Sequence, residues 1–294
     1  MGSNELTARK VKFSTAITSQ TYQKLIGQTL GDKKKAERYT AAIMSAVATN
    51  PALQECESAT ILSGSLLAES LNLSHSPQLG RYYLVPFKDK KTGTTKAQFI
   101  LGYKGYIELA VRSGQYKRIN AMPIKEGELI SYDPFNDEIQ FRAIQDPDER
   151  ESAKTIGYYA MFEYVNGFKK VIYWSKAQML AHADKYSPAF NKASYEKLLN
   201  GEIPDRDLWK YSSFWYKDFD SMAKKTLIRQ LISKWGVMST EMVQAIDADN
   251  NVVKIDRGNF LTELPEGENP FDIPEAPDAE PETDEPEEVN FDEL

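Results

Sequence analysis

The stretch QFILGYKGYIELAVRSG, residues 98–114, predicts a strand, a two-glycine turn and an amphipathic helix in direct succession. An apolar run leads into Gly102. Gly102 and Gly105 permit a tight turn and a close approach of the backbone to a bound molecule or a neighbouring element. Gly114 then ends the helix as a C-terminal glycine. The stretch therefore places a helix N-terminus directly beside the end of a strand.

The two faces of this helix differ in chemistry. Apolar residues at helical spacing predict a core-facing stripe, and charged residues recur every four positions on another face. A lysine flanked by tyrosines at a helix N-terminus suits a phosphate or an unstacked base. An ordinary strand-turn-helix with a solvated ladder of charges is the alternative, and physical chemistry alone favours it. The stripe holds Tyr103, Tyr106, Ile107, Ala110 and Gly114, and the charged face holds Lys104, Glu108 and Arg112.

Charge is distributed unevenly along the 294 residues, whose formal net charge is −7. From Leu261 to Leu294 there are 14 acidic residues, six prolines and no basic residue. All 36 basic residues therefore lie in residues 1–260 against 29 acidic ones, a net charge of about +7. A basic body with an acidic tail is typical of nucleic-acid-binding proteins, although an acidic, proline-rich terminus can also be simply solubilising.

The sequence lacks the residues that several classes of chemistry require. A single cysteine, Cys56, excludes an intramolecular disulfide framework and fits a reducing cytoplasm. The chain has no G-x-x-x-x-G-K-[ST] loop for ATP, no apolar run near the roughly 18 residues of a membrane span and no visible signal peptide. Its two histidines, His75 and His182, lack the neighbours of a zinc site. The acidic groups closest to a Mg²⁺-holding pattern, around Asp89 and Asp207, are better explained as solvated charge.

The order of the elements predicts an α+β fold in which helices pack on a mostly antiparallel sheet. Asn166-Gly167 is a strong tight-turn signal, and Ser175 is a candidate helix N-cap. We expect residues 1–30 to form a flexible arm with a short helix, residues 31–258 the folded domain, and residues 259–294 a disordered acidic tail. The predicted helices are Ser19–Leu30, Lys33–Thr49, Ala59–Leu73, Tyr103–Gly114, Ser175–Lys185, Trp209–Trp235 and Ser239–Ala248, and the predicted strands are Arg81–Phe87, Lys96–Leu101, Ile119–Ile124, Leu129–Tyr132, Ile139–Ala143, Thr155–Tyr164 and Lys169–Trp174.

Basic and aromatic residues are interleaved at several places. Binding a single strand without sequence preference requires cations for the phosphates and flat side chains for the bases. Each place alone is a weak signal, because an aromatic residue beside a lysine is also common at a strand edge with one buried face. The clearest places are Arg81-Tyr-Tyr83, Tyr103-Lys104, Tyr116-Lys-Arg118 and Trp209-Lys-Tyr211.

The predicted helix Ser221–Trp235 carries a lysine on its apolar side. Its stripe consists of Leu227, Ile228, Leu231 and Trp235, with Lys224 on the same stripe and Lys225 and Arg229 at its edge. A buried lysine needs an anionic partner, which a DNA phosphate, Glu108 or Asp218 could supply. A lysine stem that reaches out from an apolar face at the start of a helix is the alternative.

Three sequence blocks in order resemble the RecT family of phage single-strand DNA annealing proteins. Tyr82-Tyr-Leu-Val-Pro-Phe87 is similar to the family's AYLxPF strand. Gly102-Tyr-Lys-Gly105, followed by Leu109-Ala-Val-Arg-Ser-Gly114, is similar to its GYRGxxxLAxRSG block. Met222-Ala-Lys-Lys-Thr-Leu-Ile-Arg229 is similar to its MAKKTAIRRL helix. The resemblance extends over residues 40–237.

This chain departs from the family pattern at three places. Lys104 stands where arginine is usual, Leu71-Asn-Leu-Ser74 replaces an LGLxP-like stretch, and Tyr82 replaces a small residue. None of these departures removes a positive charge, so they affect individual contacts and not the resemblance to the family.

The resemblance implies a fold related to the annealing-protein superfamily, no nucleotide cofactor, and assembly into rings or helical filaments on DNA. It implies a Mg²⁺ effect on DNA binding only, a bacterial host cytoplasm, and a phage or prophage origin. A passive single-strand-binding protein and a metal-dependent nuclease are the alternatives. The residues expected to contact DNA are Lys104, Arg112, Lys224, Lys225, Arg229, Arg81, Lys96, Tyr103, Lys117, Arg118 and Lys234.

The acidic tail contains two short apolar segments, Phe271-Asp-Ile273 and Val289-Asn-Phe291. Such segments suit docking on a partner, such as a paired exonuclease or the host single-strand-binding protein. They also suit a return to the protein's own basic groove, where they would compete with DNA electrostatically. With a tail boundary near residue 259, a chain truncated after Gly258 is expected to keep its annealing activity.

Overall fold

The computed structural model describes residues 12–89, 92–187, 189–256 and 259–263. Three short 3-10 segments, Pro51–Glu55, Pro77–Leu79 and Asp205–Tyr211, connect the longer elements. The helices are α1 (Phe13–Ile17), α2 (Gln20–Leu30), α3 (Lys33–Ala48), α4 (Ser58–Ser70), α5 (Tyr103–Arg112), α6 (Pro147–Ser152), α7 (Lys176–Tyr186), α8 (Lys192–Leu199), α9 (Phe214–Lys217), α10 (Phe219–Trp235) and α11 (Thr240–Ala248). The strands are β1 (Tyr82–Lys88), β2 (Thr95–Leu101), β3 (Tyr116–Lys125), β4 (Leu129–Asp133), β5 (Glu138–Phe141), β6 (Thr155–Tyr164), β7 (Lys169–Ser175), β8 (Asn251–Asp256) and β9 (Asn259–Glu263).

The described strands form antiparallel sheets, which confirms the predicted α+β class. One sheet has the order β1-β2-β8-β9, a second has the order β3-β6-β7, and β4 pairs with β5. In the first sheet Tyr83 lies opposite Ile100, and Gln98 lies opposite Val252. This register brings the C-terminal hairpin beside the strand that leads into Gly102.

Two helices join the sheets to a shared core. Helix α4 packs against β2 and β8, and its residues from Thr60 to Ala68 are buried in succession. Helix α10 packs against β6 and against α5. Because α10 touches elements on more than one side, its buried residues occupy most of its circumference and not a single stripe. Among the residues that the structure describes, no helix is long and apolar enough to cross a membrane.

The folded region extends past both predicted boundaries. Phe13, Ile17 and Ile26 of α1 and α2 are buried in the core, so residues 12–30 are part of the fold and the predicted arm is wrong for them. At the other end, β9 pairs with β8 and Phe260 packs against the core, so the boundary at residue 258 is also wrong. Residues 1–11 and 264–294 lie outside the described ranges.

Most of the local signals are confirmed. The stretch at 98–114 forms β2, the turn at Gly102 and α5, and Gly167 has a φ of +90° in the β6–β7 hairpin. Ser175 caps α7 in a full capping box. The predicted long helix from Trp209 is instead broken, because Asp218, with φ −149° and ψ 71°, leaves helical geometry and serves as the N-cap of α10.

Candidate nucleic-acid interface

The two glycines of the turn are required by packing within the protein. The Gly102 N–H donates a 2.9 Å hydrogen bond to the Arg81 carbonyl oxygen. A Cβ at Gly102 would collide with the carbonyl oxygen of Gly80, and one at Gly105 with that of Arg81. The sequence allowed a close approach of the backbone to a bound molecule or to a neighbouring element, and the structure shows the second of these. Gly114 follows α5 with a φ of +71°, the left-handed conformation that ends a helix.

An aromatic cleft opens beside this turn. Its walls include Tyr83 from β1, Tyr103 from the start of α5 and Phe214 from α9. The rings of Tyr83 and Phe214 have centroids 5.5 Å apart, and all three side chains are partly or largely exposed. Flat rings that remain accessible in a cleft can stack on bases of any sequence. We call this set of three rings the aromatic cleft.

Lys225 lines the aromatic cleft, and two further lysines lie near its rings. The Lys224 Nζ lies 4.3 Å from the centroid of the Tyr103 ring, a cation–π contact. Lys104 is exposed, and the carbon stem of its side chain lies near Gly80, which the Tyr83 hydroxyl also approaches. Within the described residues, neither ammonium group has a carboxylate at ion-pair distance. Both charges are therefore available to a phosphate.

One acidic residue shares the cleft with these cations. Asp218 lines the cleft and accepts a 3.0 Å hydrogen bond from the Ser221 N–H as the N-cap of α10. Burial, followed by Asp218 and Tyr103, raises the pKa of the Tyr83 hydroxyl. Tyr83 therefore stays neutral at physiological pH and keeps its hydroxyl proton for donation.

A buried carboxylate lies behind the aromatic cleft. The side chain of Asp249 is fully buried and forms an ion pair of 2.9 Å with Lys225 and one of 3.4 Å with Arg229. It also accepts 2.8 Å hydrogen bonds from the Tyr106 hydroxyl and the Leu101 N–H. Burial lowers the pKa of Lys225, and Asp249 opposes that shift. The network fixes α10 and α5 to the residue that immediately precedes Gly102.

This network corrects the predicted role of Lys225 and the predicted faces of α10. Lys225 is 3% exposed, so its ammonium group lies inside the protein with an acidic partner, and we assign it to the fold and not to DNA. Arg229 is partly buried on the same carboxylate. Lys224, placed on the apolar stripe by sequence, is the more accessible of the two lysines, and Trp235 is 40% exposed. Asp249 is the anionic partner of Lys225, whereas Lys224, for which a phosphate, Glu108 or Asp218 was expected, contacts the ring of Tyr103.

Four other candidate cations have partners inside the protein. Arg81 forms an ion pair of 2.7 Å with Glu108, which ties the start of β1 to α5. Arg112 donates a 2.5 Å hydrogen bond to the Leu71 carbonyl oxygen. The remaining pairs are Lys96 with Asp89 at 2.6 Å and Lys117 with Glu163 at 2.5 Å. Contact with DNA would require these side chains to share or exchange their partners.

The last two candidates, Arg118 on β3 and Lys234 near the end of α10, are exposed. Neither has an ion-pair partner in the part of the chain that the structure describes. The structure places Lys224 against the ring of Tyr103 and the stem of Lys104 near the Tyr83 hydroxyl. Among the described residues it shows no such contact with the rings of the aromatic cleft for Arg118 or Lys234.

Sequence reasoning missed residues that matter to this surface. Phe214 begins the run Phe214-Trp-Tyr216, an aromatic cluster that was a usable signal. Asp249 lies 24 residues from Lys225 in sequence, so no local spacing connects them.

Lys176 was also missed. Its Nζ lies 3.8 Å from the centroid of the Phe219 ring and donates a 2.7 Å hydrogen bond to the Tyr158 hydroxyl. Burial lowers the pKa of Lys176 to about 8.

The acidic groups considered for metal chemistry have other partners. Asp89 is buried against Lys96, and Asp207 pairs with Lys210 at 2.7 Å. Across the described ranges, no group of three or more histidine, cysteine, aspartate or glutamate side chains is arranged to hold a metal ion.

Comparison with known proteins gives a consistent result. The model of the RecT family matches residues 37–260. The chain is 35% identical over 285 residues to the uncharacterized protein YqaK of Bacillus subtilis (strain 168), an alignment that covers 95% of this chain and 88% of that protein. It is 30% identical over 216 residues to the protein RecT of Escherichia coli (strain K12), which covers 73% of this chain and 71% of that protein.

Proposed function

Because this chain belongs to the RecT family, we propose that it binds single-stranded DNA at the aromatic cleft and anneals complementary strands without nucleotide hydrolysis. Family membership supports a recombination-related single-strand annealing role. The proposal adds the site on this chain and the absence of covalent chemistry. In it, Mg²⁺ affects DNA binding only.

The observation that supports the site most directly is the pairing of accessible rings with cations that have no acidic partner among the residues that the structure describes. Tyr83, Tyr103 and Phe214 offer flat surfaces, and a base stacked on an aromatic side chain contributes about 1–3 kcal/mol. Lys104 and Lys224 stand at the edges of the same cleft. A backbone that crosses the cleft can thus be neutralised while its bases stack, which is the arrangement that sequence-independent binding needs.

The mechanism is largely physical. The cations neutralise the phosphates of a first strand, and its bases remain open to a second strand. Watson–Crick pairing then supplies all of the sequence information. Subunits assembled side by side in a ring or helical filament would extend the cleft into a continuous groove, so that each subunit needs only a few contacts. In this proposal the protein acts in the cytoplasm of a bacterial host and is encoded by a phage or prophage.

The rival function is a passive single-strand coat, and a two-oligonucleotide assay separates the two functions. An annealing protein speeds the pairing of complementary strands, whereas a passive coat slows it. We expect the full chain to speed pairing without ATP, and the Lys104→Gln/Lys224→Gln variant to lose most of that gain. Lys24→Gln, which removes an exposed lysine of α2, is the matched control and should behave as the wild type.

The result of this assay is read together with the stability of each variant. Because Lys104 and Lys224 have no carboxylate partner among the described residues, their loss should leave the urea midpoint nearly unchanged. Slower pairing with intact stability supports the proposal. Pairing that is slowed by the wild-type protein contradicts it. A double variant that pairs strands normally but unfolds early would assign these lysines to the fold.

A further inference from the structure

The strand that precedes the acidic tail ends close to the aromatic cleft. Strand β8 runs antiparallel to β2, and β9 runs antiparallel to β8. Strand β9 therefore runs in the same direction as β2, toward the end of the sheet that bears Gly102. Its last residue, Glu263, lies opposite Val252, which lies opposite Gln98 of β2. Strand β9 thus ends two strands away from β2, after running toward the end of the sheet that bears the cleft.

The register sets the distance that the tail must cover. Neighbouring strands are about 4.8 Å apart and residues advance about 3.3 Å along a strand. From Glu263, the walls of the cleft at Tyr83 and Gly102 lie two or three strands across and two to four residues along. The span is therefore about 16 Å to either residue.

The chemistry of the tail complements that of the cleft. Residues 264–294 contain 13 acidic residues and no basic one, whereas the cleft has two lysines without carboxylate partners among the described residues. After Leu264, which directly follows β9, Phe271 and Ile273 are the next large apolar residues, and Asp272 lies between them. The ring of Phe271 would take the place of a nucleotide base against the aromatic walls. The carboxylates of the tail would take the place of the phosphate beside Lys104 and Lys224.

The length of the tether distinguishes between the two apolar segments of the tail. Phe271 is eight residues past Glu263, and an extended chain of that length, at about 3.3 Å per residue, covers about 26 Å and so exceeds the span. Phe291 is 28 residues past Glu263, and a tether more than three times as long lowers the local concentration of this residue at the cleft.

We propose that Phe271-Asp-Ile273 of the chain's own tail docks in the aromatic cleft and competes there with single-stranded DNA. Competition with DNA rests on the proposed function. The docking itself rests on the geometry of β9 and on charge complementarity. Because the attraction is partly electrostatic, the contact weakens as salt rises above about 0.1 M. A strand that binds several linked subunits would displace the tail.

A photocrosslinking experiment on the full chain tests the docking directly. The photoreactive analogue p-benzoylphenylalanine replaces Phe271 in one protein and Phe291 in a matched control, and crosslinked peptides are mapped by mass spectrometry without DNA. We expect the probe at 271 to crosslink peptides that contain Tyr83, Tyr103 or Phe214, several-fold more than the probe at 291. The Lys104→Gln/Lys224→Gln background should reduce that yield. Equal yields from the two probes, or crosslinks from 271 to other surfaces, would overturn the proposal.

Two further measurements distinguish the ways in which the docking proposal and the proposed DNA site could each be wrong. In a mixture of isotopically heavy and light protein, crosslinks between copies would show that the cleft holds a neighbour's tail and would overturn the own-chain form. Addition of a thymidine homopolymer should displace the crosslink. A cleft crosslink that persists with DNA bound would keep the docking but remove the cleft as the DNA site. Loss of DNA binding in the lysine variants without any cleft crosslink would refute the tail inference alone.

Discussion

Replacing Asp249 with asparagine tests the buried network that supports the cleft. The substitution keeps the shape of the side chain and removes its charge. Asp249 accepts hydrogen bonds from Leu101 and Tyr106 and forms ion pairs with Lys225 and Arg229. Asparagine can preserve some of these hydrogen bonds, but it leaves the ammonium of Lys225, whose side chain is 4% exposed, without an anion.

The expected loss of stability is large. Breaking a buried ion pair by removing one partner destabilises a protein by about 3–5 kcal/mol, because the remaining charge is left buried and uncompensated. Total stabilities of single domains are about 5–15 kcal/mol, so Asp249→Asn should remove a substantial share. Adding Lys225→Met to the same chain should recover part of the loss, since it removes the stranded charge and keeps an unbranched apolar side chain at that position.

Urea unfolding at a fixed protein concentration measures the effect. The control is Asp247→Asn in the last turn of α11, the helix that Asp249 follows. Asp247 is exposed, so the free energy of unfolding should change by no more than about 0.5 kcal/mol. A loss below about 1 kcal/mol for Asp249→Asn, the range of exposed ion pairs, would refute the reasoning. So would a double variant that is less stable than Asp249→Asn.

Three further predictions follow from the same geometry. Gly105→Val should abolish folding or DNA binding, because its side chain meets the Arg81 carbonyl oxygen, and a variant with normal stability and binding would contradict that cause. The pKa of Lys176 is lowered to about 8 from 10.5, so the unfolded chain binds more protons between these values; stability should therefore rise with pH above about 8, and Lys176→Met should flatten that rise in pH-dependent urea midpoints. Truncation after Glu263 should keep the wild-type urea midpoint, whereas truncation after Gly258 removes β9 and should lower it; equal midpoints would show that β9 contributes nothing.

Local backbone signals made much of the fold predictable from sequence. The glycine pair, Asn166-Gly167 and Ser175 each fix a backbone conformation within a few residues, and the structure places the turn, the hairpin and the capped helix where these signals predict them. Such signals depend only on neighbours in the chain, so a single sequence contains all that is needed to recognise them.

The site was less predictable because its contacts are between distant segments. Helix α10 is buried round most of its circumference, so no apolar stripe existed from which to place Lys224 and Lys225. Their environments are set by Tyr103 and Asp249, far away along the chain. Strand β9 was missed for a similar reason. Its five residues directly precede the acidic tail, and only their pairing with β8 reveals them as part of the sheet.

The salt dependence of single-strand binding tests the central claim most directly. If Lys104 and Lys224 each contact a phosphate, the slope of log K against log salt should fall by about 0.7 in magnitude for each lysine replaced by glutamine. The double variant should lose about twice as much, and Lys24→Gln should keep the wild-type slope. A double variant with an unchanged slope and normal affinity would place the phosphates elsewhere and contradict the assignment of the aromatic cleft as the DNA site.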